Sequence, residues 1–135
     1  FNLSSGIAPA RSFMEAGIPM GLGTDIGAGT SVSMFRSVKE AIIASKMYWR
    51  LVDSSKQALS FPEAFYLATM GGGSFFGKVG SFLEGYEFDA LVIDDRKIRQ
   101  PVPKDPRNRL ERVIYGDDCR VVVDKYIQGR QIPLS

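Results

Sequence analysis

The sequence contains no histidine and a single cysteine, Cys119, and each absence excludes a class of site. Because the chain offers no imidazole, Cys119 has no base of that kind to activate it as a nucleophile, and we interpret it as structural. One cysteine also excludes an internal disulfide. This usage is typical of proteins in the reducing cytoplasm, which is the location that we expect.

Long apolar runs and a strong charge of one sign are also missing. No apolar stretch reaches the roughly 18 residues of a membrane span, and the formal net charge of the 135 residues is only +2. The densest group of basic side chains, from Arg96 to Arg112, contains Asp105 and Glu111, which indicates a solvated segment of mixed charge. With 44% hydrophobic and 24% charged residues, the composition predicts a soluble globular domain without membrane or nucleic-acid partners.

Asp25 is the residue on which the functional interpretation depends. An apolar run of strand length, residues 18–22, leads to Gly23-Thr24-Asp25, and small residues fill positions 27–31. In α/β proteins the carboxyl end of a strand is where catalytic groups lie. Two interpretations remain open. The carboxylate either satisfies loop amides as an N-cap or Asx-turn residue, or it serves as a metal ligand or general base.

Hydrophobic periodicity in the first part of the chain predicts helices around one strand. Residues 7–16 are expected to form a short helix that Gly17 terminates, residues 18–22 a short buried strand, and residues 31–52 the longest helix. This order of helix, strand, loop and helix is typical of a parallel α/β sheet. The predicted fold class is therefore α/β.

The remainder of the chain combines a third helix with a β-rich region. A capping box, Ser60-Phe61-Pro62-Glu63, opens a helix that we expect to stop at residues 71–73. Beyond these glycines the pattern predicts strands over residues 79–82, 88–93 and 121–127, a turn at Gly129, and a helical segment after Asp105-Pro106. The character of the chain changes near residues 71–80, so we place a boundary between residues 1–75 and residues 76–135.

Several motifs distributed over essentially the whole chain carry a family resemblance. They are Leu3-Ser4-Ser5-Gly6, Gly21-Leu22-Gly23-Thr24-Asp25, Gly29-Thr30-Ser31-Val32-Ser33-Met34, Phe88-Asp89-Ala90 and Tyr115-Gly116-Asp117-Asp118. Together they resemble the C-terminal third of the guanine deaminases, a family of the amidohydrolase superfamily. The Gly-Thr-Asp and Phe-Asp-Ala pieces are common to many amidohydrolases, whereas the Gly-Thr-Ser-x-Ser-Met stretch and the Gly-Asp-Asp point to this family.

The resemblance implies a fold, a cofactor and a role for Asp25. It implies that residues 1–75 are the last strand and flanking helices of a (β/α)8 metal-dependent barrel, and that residues 76–135 are part of a small composite β-sandwich. Such a barrel carries one divalent metal, Zn or Fe. Asp25 would be both a metal ligand and the catalytic group that moves protons from water to the leaving amine. The implied reaction is the hydrolysis of guanine to xanthine and ammonia in purine catabolism, by a homodimer acting on a small purine.

The family's metal-binding histidines and its acid/base glutamate have no counterparts in this sequence. A single carboxylate cannot complete the roughly four-coordinate site of a catalytic metal. We therefore expect these residues to be the C-terminal portion of a longer enzyme, and we predict that alone they bind no metal and are inactive. Two alternatives remain: an amidohydrolase acting on another aminated heterocycle, and a non-enzymatic remnant that serves as an interaction module.

Overall fold

The computed structural model describes residues 5–98, 105–116 and 119–134 as a mixed α/β structure, which confirms the predicted fold class. The helices are α1 (Ala10–Glu15), α2 (Met34–Leu51), α3 (Phe61–Tyr66) and α4 (Pro106–Gly116), and the strands are β1 (Ala90–Ile93), β2 (Val122–Ile127) and β3 (Arg130–Ile132).

Local signals in the sequence determine where the helices begin and end. Gly17, at φ 68°, terminates α1 as predicted: its N–H donates to Met14 O and the Ile18 N–H donates to Phe13 O, both at 3.0 Å. This pair of bonds is the Schellman arrangement, which satisfies carbonyls at a helix end. Helix α2 begins after Ser33, whose side chain accepts a hydrogen bond from the backbone N–H of Arg36 at 3.3 Å.

The capping box predicted at the start of α3 is confirmed. Ser60 N donates to Glu63 Oε2 at 2.7 Å, and Glu63 N donates to Ser60 Oγ at 3.5 Å. The two residues thus satisfy each other's backbone donors at the exposed end of the helix. The helical segment predicted after Asp105 is also confirmed, since Asp105 Oδ1 accepts from Asn108 N at 2.9 Å in the first turn of α4.

The strand predicted over residues 18–22 is not formed, and the prediction that this segment is buried is wrong for Ile18, which is 49% exposed. A strand needs a neighbouring strand to exchange hydrogen bonds with. The one sheet in the described part of the chain is formed by β1, β2 and β3, so no strand lies beside this segment. Instead, Leu22 N donates to the carbonyl of Leu67, at 3.0 Å, in a helical turn.

The predicted stop of the third helix at residues 71–73 is also wrong. After α3 the backbone widens into one π-helical turn, Leu67–Gly71, and then continues in helical form to a short 3-10 turn, Ser74–Phe76. Gly72 has φ −67° and ψ −40°, which are ordinary right-handed helical values. The left-handed glycine that ends the helical segment is Gly77, at φ 108°. These glycines therefore serve close packing, described below, and not helix termination.

The second half contains a three-stranded antiparallel sheet of order β1-β2-β3. Strands β2 and β3 are joined by a two-residue turn at Gln128 and Gly129, with φ 50° and 74°, which confirms the predicted hairpin. The strand predicted over residues 79–82 is not formed. Residues 78–87 make a loop that Glu87 N closes by donating to Lys78 O at 2.8 Å, and Gly80 within it has φ 82°.

The hydrophobic core joins helices from both halves of the chain. Val38 and Ile42 of α2, Ala64 of α3 and Ile114 of α4 form one buried cluster. Helix α4 follows β1 in the sequence, yet it packs against α2, and Lys39 Nζ donates to Tyr115 O at 3.4 Å. The division at residues 75 and 76 stays a prediction.

Candidate functional site

Asp25 lies in a tight turn between the 18–24 segment and α2. Its φ is 49°, a left-handed value that aspartate tolerates better than most residues. The Asp25 carbonyl accepts hydrogen bonds from Ala28 N, at 3.0 Å, and from Gly29 N. The turn is therefore held by main-chain bonds, and the Asp25 side chain is not needed to close it.

The carboxylate of Asp25 is exposed, and no hydrogen bond or ion pair reaches it from the part of the chain that the structure describes. The capping roles nearby are taken by other side chains. Ser33 caps α2, and Ser31 Oγ accepts from Ser33 N at 3.0 Å. The local structure therefore gives no support to a capping role for Asp25, and both of its carboxylate oxygens remain available to a ligand.

Glycine at position 29 is required by the shape of this turn. A Cβ atom placed on Gly29 would lie 1.9 Å from Thr24 O and 2.9 Å from Asp25 O. Carbon atoms in ordinary packing stay about 3.5–4.0 Å from their neighbours. The backbones on either side of Asp25 are thus in direct contact, which fixes the backbone of Asp25 through main-chain atoms.

Glycines also bring the segment before Asp25 against the π-helical turn. A Cβ atom on Gly21 would lie 2.6 Å from Gly72 Cα, and one on Gly71 would lie 2.8 Å from Met20 O. Sequence reasoning assigned the glycines at 71–73 to a helix stop and missed this contact. The signal was available in Gly21 and in three consecutive glycines inside an otherwise helical pattern.

Helix α2 supports the turn from its other side. Ser37 Oγ donates to Gly23 O at 3.3 Å, and Thr30 Oγ1 donates to Glu40 Oε1 at 2.9 Å. The first turns of α2 therefore hold the backbone both before and after Asp25.

A different carboxylate, Glu63, forms a two-point ion pair in the helical part. Arg11 donates to both of its oxygens, at 2.8 and 2.9 Å, and also to the carbonyls of Gln57 and Ala58. The hydrogen bonds from Arg11, followed by those from Ser60, lower the pKa of Glu63 from 4.5 to about 2. With all these partners, Glu63 joins α1 to α3 and is not a candidate for proton transfer.

An apolar cavity of about 400 Å³ lies between the 18–22 segment and the helices. Its walls include Phe13, Ile18, Met20 and Leu59, and its polar side chain is Ser45. The Ser45 hydroxyl donates to Ile42 O and accepts from Leu59 N, both at 2.9 Å. Because this hydroxyl is already bonded and the other walls are apolar, the cavity is not a candidate for catalysis.

Asp25 is the metal-ligand candidate that the sequence predicts, and the described residues bring no further ligands to it. Within residues 5–98, 105–116 and 119–134, no three His, Cys, Asp or Glu side chains converge on one point. A carboxylate without internal partners fits one ligand of a divalent cation, and the remaining ligands must come from elsewhere. Asp117 and Asp118, which belong to the motif quoted above, lie outside the described residues.

In the described ranges no helix has the length and apolarity needed to cross a bilayer.

Comparisons with known proteins agree on one family. The chain matches the Amidohydrolase family over residues 1–132. A guanine deaminase of Dictyostelium discoideum is 33% identical over 139 residues, which cover 98% of this chain and 31% of that protein. The crystal structure of a guanine deaminase from C. acetobutylicum, with guanine bound in its active site, is 48% identical with a TM-score of 0.92, over 98% of this chain and 31% of that one.

A third similar protein is an adenosine deaminase from Xanthomonas campestris whose structure contains bound zinc. It is 26% identical with a TM-score of 0.76, over 96% of this chain and 29% of that one. The chain therefore spans less than a third of the length of the relatives it matches.

Proposed function

This chain belongs to the amidohydrolase family, and we propose that it is the C-terminal portion of a guanine deaminase, an enzyme that hydrolyses guanine to xanthine and ammonia. The observation that carries the proposal is the 48% identity and TM-score of 0.92 with a guanine deaminase that holds guanine in its active site. That similarity covers 98% of the present chain, and so includes the Asp25 turn together with the glycines that support it.

In a whole enzyme, the 18–22 segment would have neighbouring strands to pair with. We propose that residues 1–75 contribute the last strand and flanking helices of a (β/α)8 barrel, and that the neighbouring strands come from the rest of the enzyme. The lack of a strand beside this segment in the described residues supports the idea, as does the half-exposed side chain of Ile18. We assign residues 76–135 to part of a β-sandwich, which the antiparallel sheet β1-β2-β3 supports.

Asp25 is proposed to transfer the proton in this reaction. The whole enzyme binds a divalent metal, with zinc in the Xanthomonas relative as a precedent, and such an ion lowers the pKa of a water to about 7. The Asp25 carboxylate, which has no described partner, accepts one proton from the attacking water as the water oxygen bonds to C2 of guanine and the C2–N3 double bond opens towards N3. The same carboxyl then donates this proton to the amino nitrogen, and ammonia leaves as the bond between C2 and the amino nitrogen breaks. The second proton of the water ends on N3 as the C2 carbonyl of xanthine forms.

A second candidate function is the deamination of another aminated heterocycle. This second function is supported by the similarity between this chain and the Xanthomonas adenosine deaminase, whose fold matches with a TM-score of 0.76. Its lower identity, 26% against 48%, makes guanine the better-supported substrate. We further propose a homodimeric enzyme of the cytoplasm that contacts neither membrane nor nucleic acid.

The test uses the protein purified from its native gene. We expect a mass near 50 kDa, roughly a barrel plus a small domain, and about one zinc or iron per chain. Guanine, adenosine and cytosine are then supplied in parallel, and xanthine and ammonia are measured. We expect guanine to be preferred by at least about 100-fold in kcat/KM, which corresponds to about 2.7 kcal/mol. A metal-free protein of 14.9 kDa, or a clear preference for another substrate, would contradict the proposal.

A further inference from the structure

We propose that the π-helical turn Leu67–Gly71 is a positioning element that sets the location of Asp25. The inference rests on the proposed function, because it concerns how the acid/base group is held. We call the close approach of residues 20–22 to Leu67, Gly71 and Gly72 the glycine contact.

The Leu67 carbonyl links the π turn to the segment before Asp25. In the π turn this oxygen accepts from Gly72 N, five residues ahead, as well as from Leu22 N at 3.0 Å. An α-helical turn would bond the carbonyl to the residue four positions ahead. In this turn Leu67 O accepts two donors, and the second, Leu22 N, belongs to the segment that carries Asp25.

No side chain lies between the backbone of residues 20–22 and that of Gly71 and Gly72 where the two meet. Gly21 faces Gly72 so closely that a Cβ on Gly21 would lie 2.6 Å from Gly72 Cα, and Gly71 is similarly close to Met20 O. Only glycine permits such an approach. The contact therefore fixes the distance between this segment and the π turn through backbone atoms, which do not change rotamer.

The connection from the glycine contact to Asp25 is short. Gly23 and Thr24 are the residues between Leu22 and Asp25, and beyond Asp25 the turn is closed through Gly29. A shift at Gly21 therefore moves Asp25 with it. π-Helical turns are rare, and they occur frequently at functional sites. In this chain the turn contacts the segment that delivers the candidate catalytic group.

The effect of disturbing the contact can be estimated from the distances. An alanine Cβ at position 21 must move from 2.6 Å to about 3.5 Å from its neighbour, so the backbones separate by about 1 Å. A misplacement of about 1 Å at a reacting group costs about 100-fold in rate. We therefore expect Gly21→Ala to lower kcat for guanine by about 10- to 100-fold, while KM changes by less than about threefold.

Gly72→Ala is the matched control, because it changes the other side of the same contact without a clash. Its Cβ would lie 3.4 Å from Leu67 O and 3.8 Å from Gly21 Cα, which are ordinary packing distances. The backbone of Gly72 is helical, so alanine is not strained there. We expect Gly72→Ala to keep kcat within about twofold of the wild type. If Gly21→Ala does not fold, Gly71→Ala replaces it, since its Cβ would lie 2.8 Å from Met20 O.

The experiment compares the three proteins, each made at full length from the native gene. Guanine turnover, the thermal midpoint and the rate at which a chelator removes the bound metal are measured for each. We expect Gly21→Ala to lose kcat in its folded fraction and to release metal faster, and Gly72→Ala to match the wild type in both. A purely structural contact would lower the thermal midpoint but leave kcat of the folded fraction unchanged, which would overturn the inference.

The outcome also separates this inference from the proposed function. If the wild type binds metal but does not turn over guanine, the proposed function fails. Faster metal release from Gly21→Ala alone would then still support the positioning role. Equal release rates in both variants, or equal losses of kcat, would overturn the positioning role even if the wild type is an active guanine deaminase.

Discussion

Glu63 at the start of α3 and Asp25 in the turn before α2 are both carboxylates, but their surroundings differ. Glu63 accepts hydrogen bonds from Arg11 and Ser60, and its pKa is lowered to about 2. Asp25 is exposed and accepts none from the described residues, although its backbone is tightly held. The contrast indicates that side-chain bonds stabilise the helical core, whereas backbone contacts leave the Asp25 carboxylate available for chemistry.

Because of this difference, we expect the stability of the protein and its activity to depend on different residues. Loss of a core side chain should lower the free energy of unfolding without changing the chemical step, because Asp25 shares no side-chain bond with the core. A change at Asp25 should do the reverse. For the Ile114 and Asp25 variants both stability and kcat are measured, and a change in the quantity that is expected to stay constant would contradict the comparison.

The largest expected effect on stability comes from the core. Ile114 is fully buried against Val38, Ile42 and Ala64. We expect Ile114→Ala to lower the free energy of unfolding of the full-length protein by about 3 kcal/mol, since it leaves a cavity, and Ile114→Val to lower it by about 1 kcal/mol. Denaturant unfolding measures the change. A drop in kcat of the folded enzyme that follows the loss of stability would show that the core and the Asp25 turn are coupled.

A smaller effect is expected from the Glu63 carboxylate. Because its pKa lies below the ordinary 4.5, Glu63 stabilises the folded state above pH 4.5, and that contribution is lost as the pH falls through about 2. The side chain is 29% exposed, so after solvent screening we expect Glu63→Gln to cost about 1–2 kcal/mol at pH 7. The difference from wild type should be constant between pH 7 and 5 and should shrink below pH 4.5.

The smallest effect is expected from an ion pair whose arginine, Arg107, is 63% exposed, and this pair serves as the control for Glu63. Glu111 accepts from Arg107 at 3.0 Å, four residues earlier on α4. Such surface pairs contribute about 0.3–0.5 kcal/mol, so Glu111→Gln should barely change the free energy of unfolding. Equal losses in Glu63→Gln and Glu111→Gln would contradict the special role assigned to the bonds between Arg11 and Glu63.

The features that could be predicted from sequence were those with local causes. The Ser60 capping box, the Gly17 terminator and the Asp105 cap each involve residues a few positions apart, and the structure confirms all three. The hairpin at Gln128 and Gly129 was predictable for the same reason. In such motifs the interacting residues lie close together in the sequence, so both partners can be recognised from the sequence alone.

The failed predictions involve partners that are distant or lie outside the chain. The 18–22 segment has the composition of a strand, but the described residues provide no strand to pair with it. The glycines at 71–73 obey the local rule for a helix stop, yet Gly71 and Gly72 lie against Met20 and Gly21, about fifty residues earlier, and Gly73 lies against Val79. For Asp25, sequence pattern and family resemblance supplied the candidate, and the structure adds that its carboxylate has no described partner.

The most direct test of the account is guanine turnover by Asp25→Asn in the full-length protein, measured together with thermal unfolding. Glu84→Gln is the matched control, since Glu84 is also exposed and has no described partner. We expect Asp25→Asn to lower kcat by at least about 1,000-fold with little change in stability, because the proposed proton-transfer group is lost and no internal bond is broken. Glu84→Gln should behave as the wild type. Near-normal turnover in Asp25→Asn would contradict the catalytic role of Asp25.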